Sequence, residues 1–160
     1  TTQLGFYALI VTITTPMALF SQSLSTTLYR RFAAGTEIPK KVLELNFLWL
    51  SFCLILFIAL GKQLVIILFS ERFFPAVALI LPLTFSEFFR GMLQPYNMFL
   101  NAKGKSKWLM KMSFFMAAVN LSGNIILVTK FGAYGAAIAR IIGNISFYVP
   151  CYLCYRACRW

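Results

Sequence analysis

Five long apolar runs constrain what this chain can fold into. They cover residues 4–28, 45–69, 75–100, 108–128 and 134–155, and a helix needs about 20 apolar residues to cross a bilayer. Charged residues make up only 12% of the sequence, against about 25% in a typical soluble domain. We therefore predict an all-α integral membrane protein, a bundle of about five transmembrane helices.

Basic residues alternate between the two ends of this predicted bundle. Of the fifteen Lys and Arg, ten lie in the first linker, the third linker and the tail: Arg30, Arg31, Lys40, Lys41, Lys103, Lys105, Lys107, Lys111, Arg156 and Arg159. The opposite side holds Lys62, Arg72 and Lys130. Because cytoplasmic loops carry excess Lys and Arg, we predict a cytoplasmic C-terminus. Trp49, Trp108 and Trp160 fall at the same ends, where indole favours the interface.

The remaining composition excludes several classes of function. The net charge is +11, but the basic residues separate apolar runs instead of forming one solvated face, which disfavours nucleic-acid binding. The sequence contains neither His nor Asp. Catalytic triads, His metal sites and Asp-based magnesium sites are therefore excluded from this segment. We predict neither an enzyme nor a protein with a metal or cofactor.

The third apolar run carries a stripe of polar side chains. At about 100° per residue, Glu87, Arg90, Gln94, Asn97 and Asn101 fall within about 80° of arc on one helix face. In lipid such a stripe must face other helices or a water-filled cavity. The alternative for Glu87 and Arg90, three residues apart, is that they only neutralise each other.

Similar faces occur on three other runs. Asn120 and Asn124 share one face of the fourth run, where the alternative is that they only join helices. Arg140 and Asn144 lie together on the fifth, beside small residues spaced four apart that allow close helix packing. That ladder consists of Gly135, Ala139 and Gly143. The first run has Thr15, Gln22, Ser25 and Tyr29 on one side.

Three cysteines lie near the end of the chain. Cys151 and Cys154 have the two-residue gap of a metal or redox motif, but no second pair and no His accompany them. We expect them to act as small apolar residues. Cys158 is a conceivable site of palmitoylation that nothing in the sequence requires.

Several segments, taken in order, carry a family resemblance. The stretch NLSGNIILVTKFGAYGAAIAR, from Asn120, is similar to the last two helices of polysaccharide flippases of the O-antigen type. The stretch LNAKGKSK looks like the basic loop after the tenth helix of that family. GFYALIVTITTPMALFSQSLSTTLYRRFA is similar to its eighth helix and the following loop. The family belongs to the multidrug/oligosaccharidyl-lipid/polysaccharide exporter superfamily.

The resemblance implies an architecture and a location. Members have about twelve helices in two related lobes, and this chain would hold helices eight to twelve. The sequence begins TTQLGFYALI, without an initiator Met, so we expect a C-terminal fragment with the N-terminal half absent. The implied location is the cytoplasmic (inner) membrane, as a multi-pass protein.

The resemblance also implies a substrate and roles for the polar residues. The implied substrate is an undecaprenyl-pyrophosphate-linked oligosaccharide, which alternating access moves across the membrane, with a polysaccharide polymerase as a further partner. Arg90 and Arg140 would bind pyrophosphate oxygens, since guanidinium offers a bidentate fork. Gln94, Asn97, Asn101, Asn120, Asn124 and Asn144 would complete the substrate site. Glu87 would be the residue that couples transport to an ion.

Another lipid-linked cargo, such as a peptidoglycan precursor, and three other functions stay open at this point. A drug or cation antiporter of the same superfamily would share the helices but would not need anion-binding Arg residues. A membrane sugar–lipid transferase usually needs carboxylates or His at the membrane edge, and this segment has no Asp, no His and few loops long enough to hold a site. A scaffold without transport would leave the costly charges within the spans unexplained.

Overall fold

The computed structural model describes residues 2–69 and 71–158, the side chains of 2–4, 68, 71 and 72 excepted. Every regular element in those ranges is helical. The elements are α1 (Thr2–Thr27), α2 (Tyr29–Ala33), α3 (Lys40–Phe69), a 3-10 helix (Glu71–Leu79), α4 (Ile80–Ala102) and α5 (Ser106–Cys158). Arg159 and Trp160, both used in the topology prediction, lie outside the described residues.

Helix α4 is the centre of the bundle. It packs against α1, α3 and α5, and 56% of its most apolar stretch is buried, compared with 22% for α3. The outer face of α3 instead exposes large apolar side chains, including Ile55 and Ile67. Four helical stretches are apolar and long enough to cross a membrane, and the exposed apolar side chains suit lipid contact. The fold is thus a helical bundle of membrane-protein character.

The last stretch accounts for two of the five predicted spans. Within α5, Gly132 has φ 57° and ψ −135°, outside the helical region, and the chain folds back there. Positive φ at this ψ strains any side chain with a Cβ, which explains a glycine at the turn. We call 106–131 the first limb of α5 and 133–158 the second limb.

The two limbs form a tightly packed antiparallel hairpin. A Cβ built on Gly135 would lie 2.1 Å from the carbonyl oxygen of Leu127. Further along, Ala139 approaches Gly123, and Gly143 lies against Asn120. Residues 135, 139 and 143, which the sequence analysis assigned to helix packing, therefore follow the seam between the limbs.

The third predicted span does not begin as an α-helix. Residues before Ile80 form a 3-10 helix that contains Pro75, and the α-helix proper starts at Ile80. Pro82 lies in the first turn of α4, where its missing N–H would have no helical partner in any case. The predicted span 75–100 is thus part 3-10 and part α.

The two ends of the bundle differ in charge. At one end a core cluster joins Phe32 of α2, Ile38 of the following loop, Leu109 of the first limb and Tyr155 of the second. The first linker, the α4–α5 turn and the chain end therefore meet there, together with most of the basic residues. We call this the basic end. Of the residues predicted for the other side, Arg72 has only its backbone described.

Candidate functional site

The carboxylate of Glu87 lies between two guanidinium groups. The side chain is 1% exposed. Arg90, on the next turn of α4, lies 3.4 Å from Oε2, and Nη2 of Arg140 on the second limb donates to Oε1. Neither cation is fully buried, with side-chain exposures of 39% for Arg90 and 20% for Arg140. The cluster therefore carries one positive charge in excess.

A second polar contact joins the same two helices. Nδ2 of Asn144 donates to the hydroxyl of Ser86 at 2.8 Å and to the Ser86 carbonyl at 3.0 Å. Ser86 is fully buried. Asn144 and Arg140, four residues apart on one helix face, thus hold the adjacent residues Ser86 and Glu87. Sequence reasoning missed Ser86, whose only sequence signal was its position beside Glu87.

The remainder of the α4 stripe continues toward the basic end. Gln94 and Asn97 are half-buried, and Asn101 is exposed. Asn101 accepts a hydrogen bond from the hydroxyl of Ser106 at 3.0 Å, which ties the end of α4 to the start of α5. At about 1.5 Å rise per residue, Asn101 lies about 21 Å along the axis from Glu87. It therefore cannot contact the same small group as Glu87.

Contacts of α1 determine which of its faces borders this stripe. Ser21 faces Gly91 of α4, while the ring of Phe20 packs at a tilt against Trp49 of α3, with ring centres 4.6 Å apart. On α1, Phe20 and Gln22 lie about 100° to either side of Ser21. Because Phe20 faces α3, Gln22 projects away from α3. That side borders the α4 stripe, and Gln22 is exposed there.

The face predicted for α1 is divided in the structure. Ser25 is buried and donates to the carbonyl of Ser21 at 2.7 Å. Gln22 is exposed, Thr15 is half-buried, and Tyr29 belongs to α2. Only part of the predicted face therefore borders the stripe.

The first limb of α5 supplies the remaining wall. Asn120 lies against Gly143 of the second limb and accepts a hydrogen bond from Nδ2 of Asn124 at 2.8 Å. Both side chains are half-buried, whereas Leu121 and Ile125 beside them are exposed. The helical phase of these contacts directs the two amides to the same side of the hairpin as Arg140.

From these contacts and helix phases we infer a polar groove between α1 and the α5 hairpin. The α4 stripe is its floor, and the cluster of Glu87, Arg90 and Arg140 lies at its inner end. Beyond that cluster Ile10 of α1, Leu83 of α4 and Ala137 of the second limb pack in one buried group, which closes the groove. The predicted binding residues thus distribute along the groove, with only Glu87, Arg90, Arg140 and Asn144 gathered at one point.

The side chains of the groove can form hydrogen bonds with an anion and with hydroxyl groups. Two guanidinium groups share one carboxylate, so N–H donors remain for a further oxygen ligand. Gln94, Asn97, Asn120 and Asn124 offer both donors and acceptors. Among the described residues no group of three His, Cys, Asp or Glu could hold a metal ion.

Two buried polar atoms near the groove floor lack hydrogen-bond partners in the described part of the chain: Oγ of Ser21 and Oδ1 of Asn46. Nδ2 of Asn46 donates to the carbonyl of Gly91 at 3.2 Å. Helices α1, α3 and α4 thus cross closely at Gly91, where a Cβ would lie 2.6 Å from Leu50. Sequence reasoning missed this crossing, because only the contacts reveal it.

No protein-family model, no curated protein and no solved structure matches the chain. The structure itself defines the class of the protein: an apolar helical bundle with helices long enough to cross a membrane.

Proposed function

We propose that the chain is the C-terminal part of a flippase that moves a lipid-linked oligosaccharide across the cytoplasmic membrane by alternating access. The observation that carries this proposal is the excess of guanidinium over carboxylate at the inner end of a polar groove. The sequence resemblance to polysaccharide flippases points to the same function. Undecaprenyl-pyrophosphate-linked glycan for surface polysaccharide or O-antigen synthesis is the proposed substrate.

The charge of the groove suits a pyrophosphate. Arg90 is the more exposed guanidinium, so it can reach a phosphate oxygen while Arg140 keeps its bond to Glu87. Arg–phosphate hydrogen bonds are charge-assisted and about twice as strong as neutral ones. The amide side chains farther along would bond sugar hydroxyls. The lipid tail would stay in the bilayer beside the exposed apolar faces.

The membrane potential supplies part of the driving force in this proposal. Moving one negative charge out of a cell with a negative interior gains about 2.3 kcal/mol per 100 mV. A dianionic pyrophosphate therefore gains at most about twice that amount. Coupling through Glu87 stays a prediction. Any cation that it bound would have to compete with two guanidinium groups already in contact with it.

The same contacts weigh against a cation antiporter. A carrier of cations needs an acidic group that can exchange its cation, and Glu87 is the only acidic residue in the described part of α4. Since Arg90 and Arg140 already occupy it, the groove offers a cation no excess negative charge. The flippase is therefore the function that these residues support best.

Complementation in a strain lacking its own flippase tests the proposal. The decisive variant is Arg90→Ala in the full-length protein, because Arg140 still holds Glu87 after the change. We expect surface glycan to fall at least about tenfold, as loss of a charge-assisted phosphate contact predicts. Arg90→Lys, which retains the charge without the bidentate fork, should restore part of it.

The control is Lys111→Ala, which removes an exposed cation of the first limb outside the groove. Arg140 should be replaced only together with Glu87, as Arg140→Ala with Glu87→Gln, so that no carboxylate loses its main partner. Normal glycan display by Arg90→Ala and by this double variant, at unchanged protein levels, would overturn the proposal.

A further inference from the structure

A cleft lies on the side of α4 opposite the groove and shares no residue with it. It has a volume of about 470 Å³ and lies between the start of α3, the loop before it, α4 and the second limb. Its walls include Tyr96, Tyr152 and Tyr155, and its rim includes Glu37 and Lys40. The ring centres of Tyr152 and Tyr155 lie 5.6 and 5.2 Å from that of Tyr96.

The cleft lies at the basic end, where the local charge is positive. Lys40 lines the rim, Lys41 follows it, and Nζ of Lys103 lies 5.7 Å from the centre of the Phe99 ring. That ring in turn contacts Tyr155, with centres 5.0 Å apart. Around the cleft, Lys40, Lys41 and Lys103 stand against Glu37 and Glu44, which leaves one positive charge in excess.

From the cleft an aromatic surface continues along α4 and the second limb. Tyr148 stacks on Tyr152 and contacts Phe89, which in turn contacts Phe85 and Phe88. Phe85 is 42% exposed. On α4 this surface lies about 180° from the centre of the polar stripe. One continuous face therefore combines a basic, tyrosine-lined cleft with a partly exposed apolar strip.

We propose that this face is a binding site for an anionic phospholipid, with the phosphate in the tyrosine cleft beside Lys40 and the acyl chains on the aromatic strip. Tyrosine and lysine at the end of membrane-length helices are the residues that meet lipid headgroups, and basic clefts between helices favour anionic ones. A tyrosine hydroxyl can donate to the phosphate while its ring stays in apolar surroundings. The site is independent of the flippase proposal, because it uses neither the groove nor its residues.

Native mass spectrometry of the purified full-length protein tests this site. The probes are phosphatidylglycerol and phosphatidylcholine with identical acyl chains. We expect the protein to retain phosphatidylglycerol preferentially. Lys40→Gln should weaken that retention about fivefold, as expected for one lysine near a lipid surface. Tyr152→Leu, which keeps an apolar side chain but removes the ring and hydroxyl, should weaken it as well.

Lys111→Gln is the matched control, since it removes the same charge from an exposed site on the first limb. Equal retention of the two lipids, or an equal loss in Lys40→Gln and Lys111→Gln, would overturn the proposal. A final arm adds glycerol 3-phosphate, which has the phosphate but no tails. If this compound displaces the lipid at concentrations comparable with the lipid, the cleft is a soluble-phosphate site and the proposal is wrong.

Discussion

At the scale of single residues, the bundle depends to different degrees on the three charged side chains of Glu87, Arg90 and Arg140. Glu87 is the fully buried member, Arg140 connects it to another helix, and Arg90 shares its own helix turn. Removing one partner of a buried ion pair costs about 3–5 kcal/mol, because the other charge stays buried without compensation. A pair open to solvent contributes about 0–1 kcal/mol. The two arginines should therefore respond differently to substitution.

We predict that Arg140→Gln lowers the free energy of unfolding by about 3 kcal/mol, and that Arg90→Gln lowers it by about 1 kcal/mol or less. The reason is that Arg140 is the less exposed cation and the link between α4 and α5. Reversible denaturation of the purified protein in mild detergent measures both values. Adding Glu87→Gln to Arg140→Gln should recover part of the loss. Equal losses for the two single variants would contradict the prediction.

At the scale of elements, close backbone approach in the α5 hairpin determines the position of the polar side chains. Gly135 and Gly143 lie on the same seam, but their surroundings differ. At 135 the neighbour is the Leu127 backbone, which cannot move without distorting the first limb. At 143 it is the Asn120 side chain, 3.4 Å from a built Cβ. Packing along this seam also turns the helix face that carries Arg140 and Asn144 toward α4.

Gly135→Ala should therefore destabilise the protein by at least about 2 kcal/mol, as expected for overpacking. Gly143→Ala should have an effect within about 1 kcal/mol of zero, because a small adjustment of Asn120 is offset by the higher helix propensity of alanine. Thermal unfolding of the two variants side by side, with size-exclusion profiles, measures the difference. A Gly143→Ala variant as unstable as Gly135→Ala would show that the seam is equally tight throughout.

Periodicity explains what the sequence could predict at this scale. The polar stripe and the small-residue ladder repeat with the helical period, so their positions on a helix face follow from spacing alone. The partner of Glu87 does not, since Arg140 is 53 residues away and pairing between helices depends on how the hairpin closes. The tyrosine cleft could not be predicted from spacing either, because Lys40, Tyr96 and Tyr152 come together only through the packing of three separate helices.

At the scale of the whole molecule, α4 has two chemically different sides. One side forms the floor of the polar groove, and the other carries the exposed Phe85 and the half-buried Phe88 and Phe89. In a bilayer, a helix in this position keeps the polar side chains of the groove turned away from the lipid, as is required of polar groups within a span. The two ends of the bundle also differ in charge, since most of the basic residues lie at one end. From this difference the positive-inside rule predicts which end faces the cytoplasm.

The basic end should face the cytoplasm. In a full-length variant with its native cysteines replaced, we introduce Ala34→Cys in the loop after α2 or Thr129→Cys near the hairpin turn, both exposed and uncharged. A membrane-impermeant maleimide added to intact cells should label residue 129 and leave residue 34 unlabelled until the membrane is permeabilised. Neither substitution alters the Lys and Arg distribution that determines orientation. Labelling of residue 34 alone in intact cells would reverse the assignment, and with it the side on which the groove opens and the leaflet that supplies lipid to the tyrosine cleft.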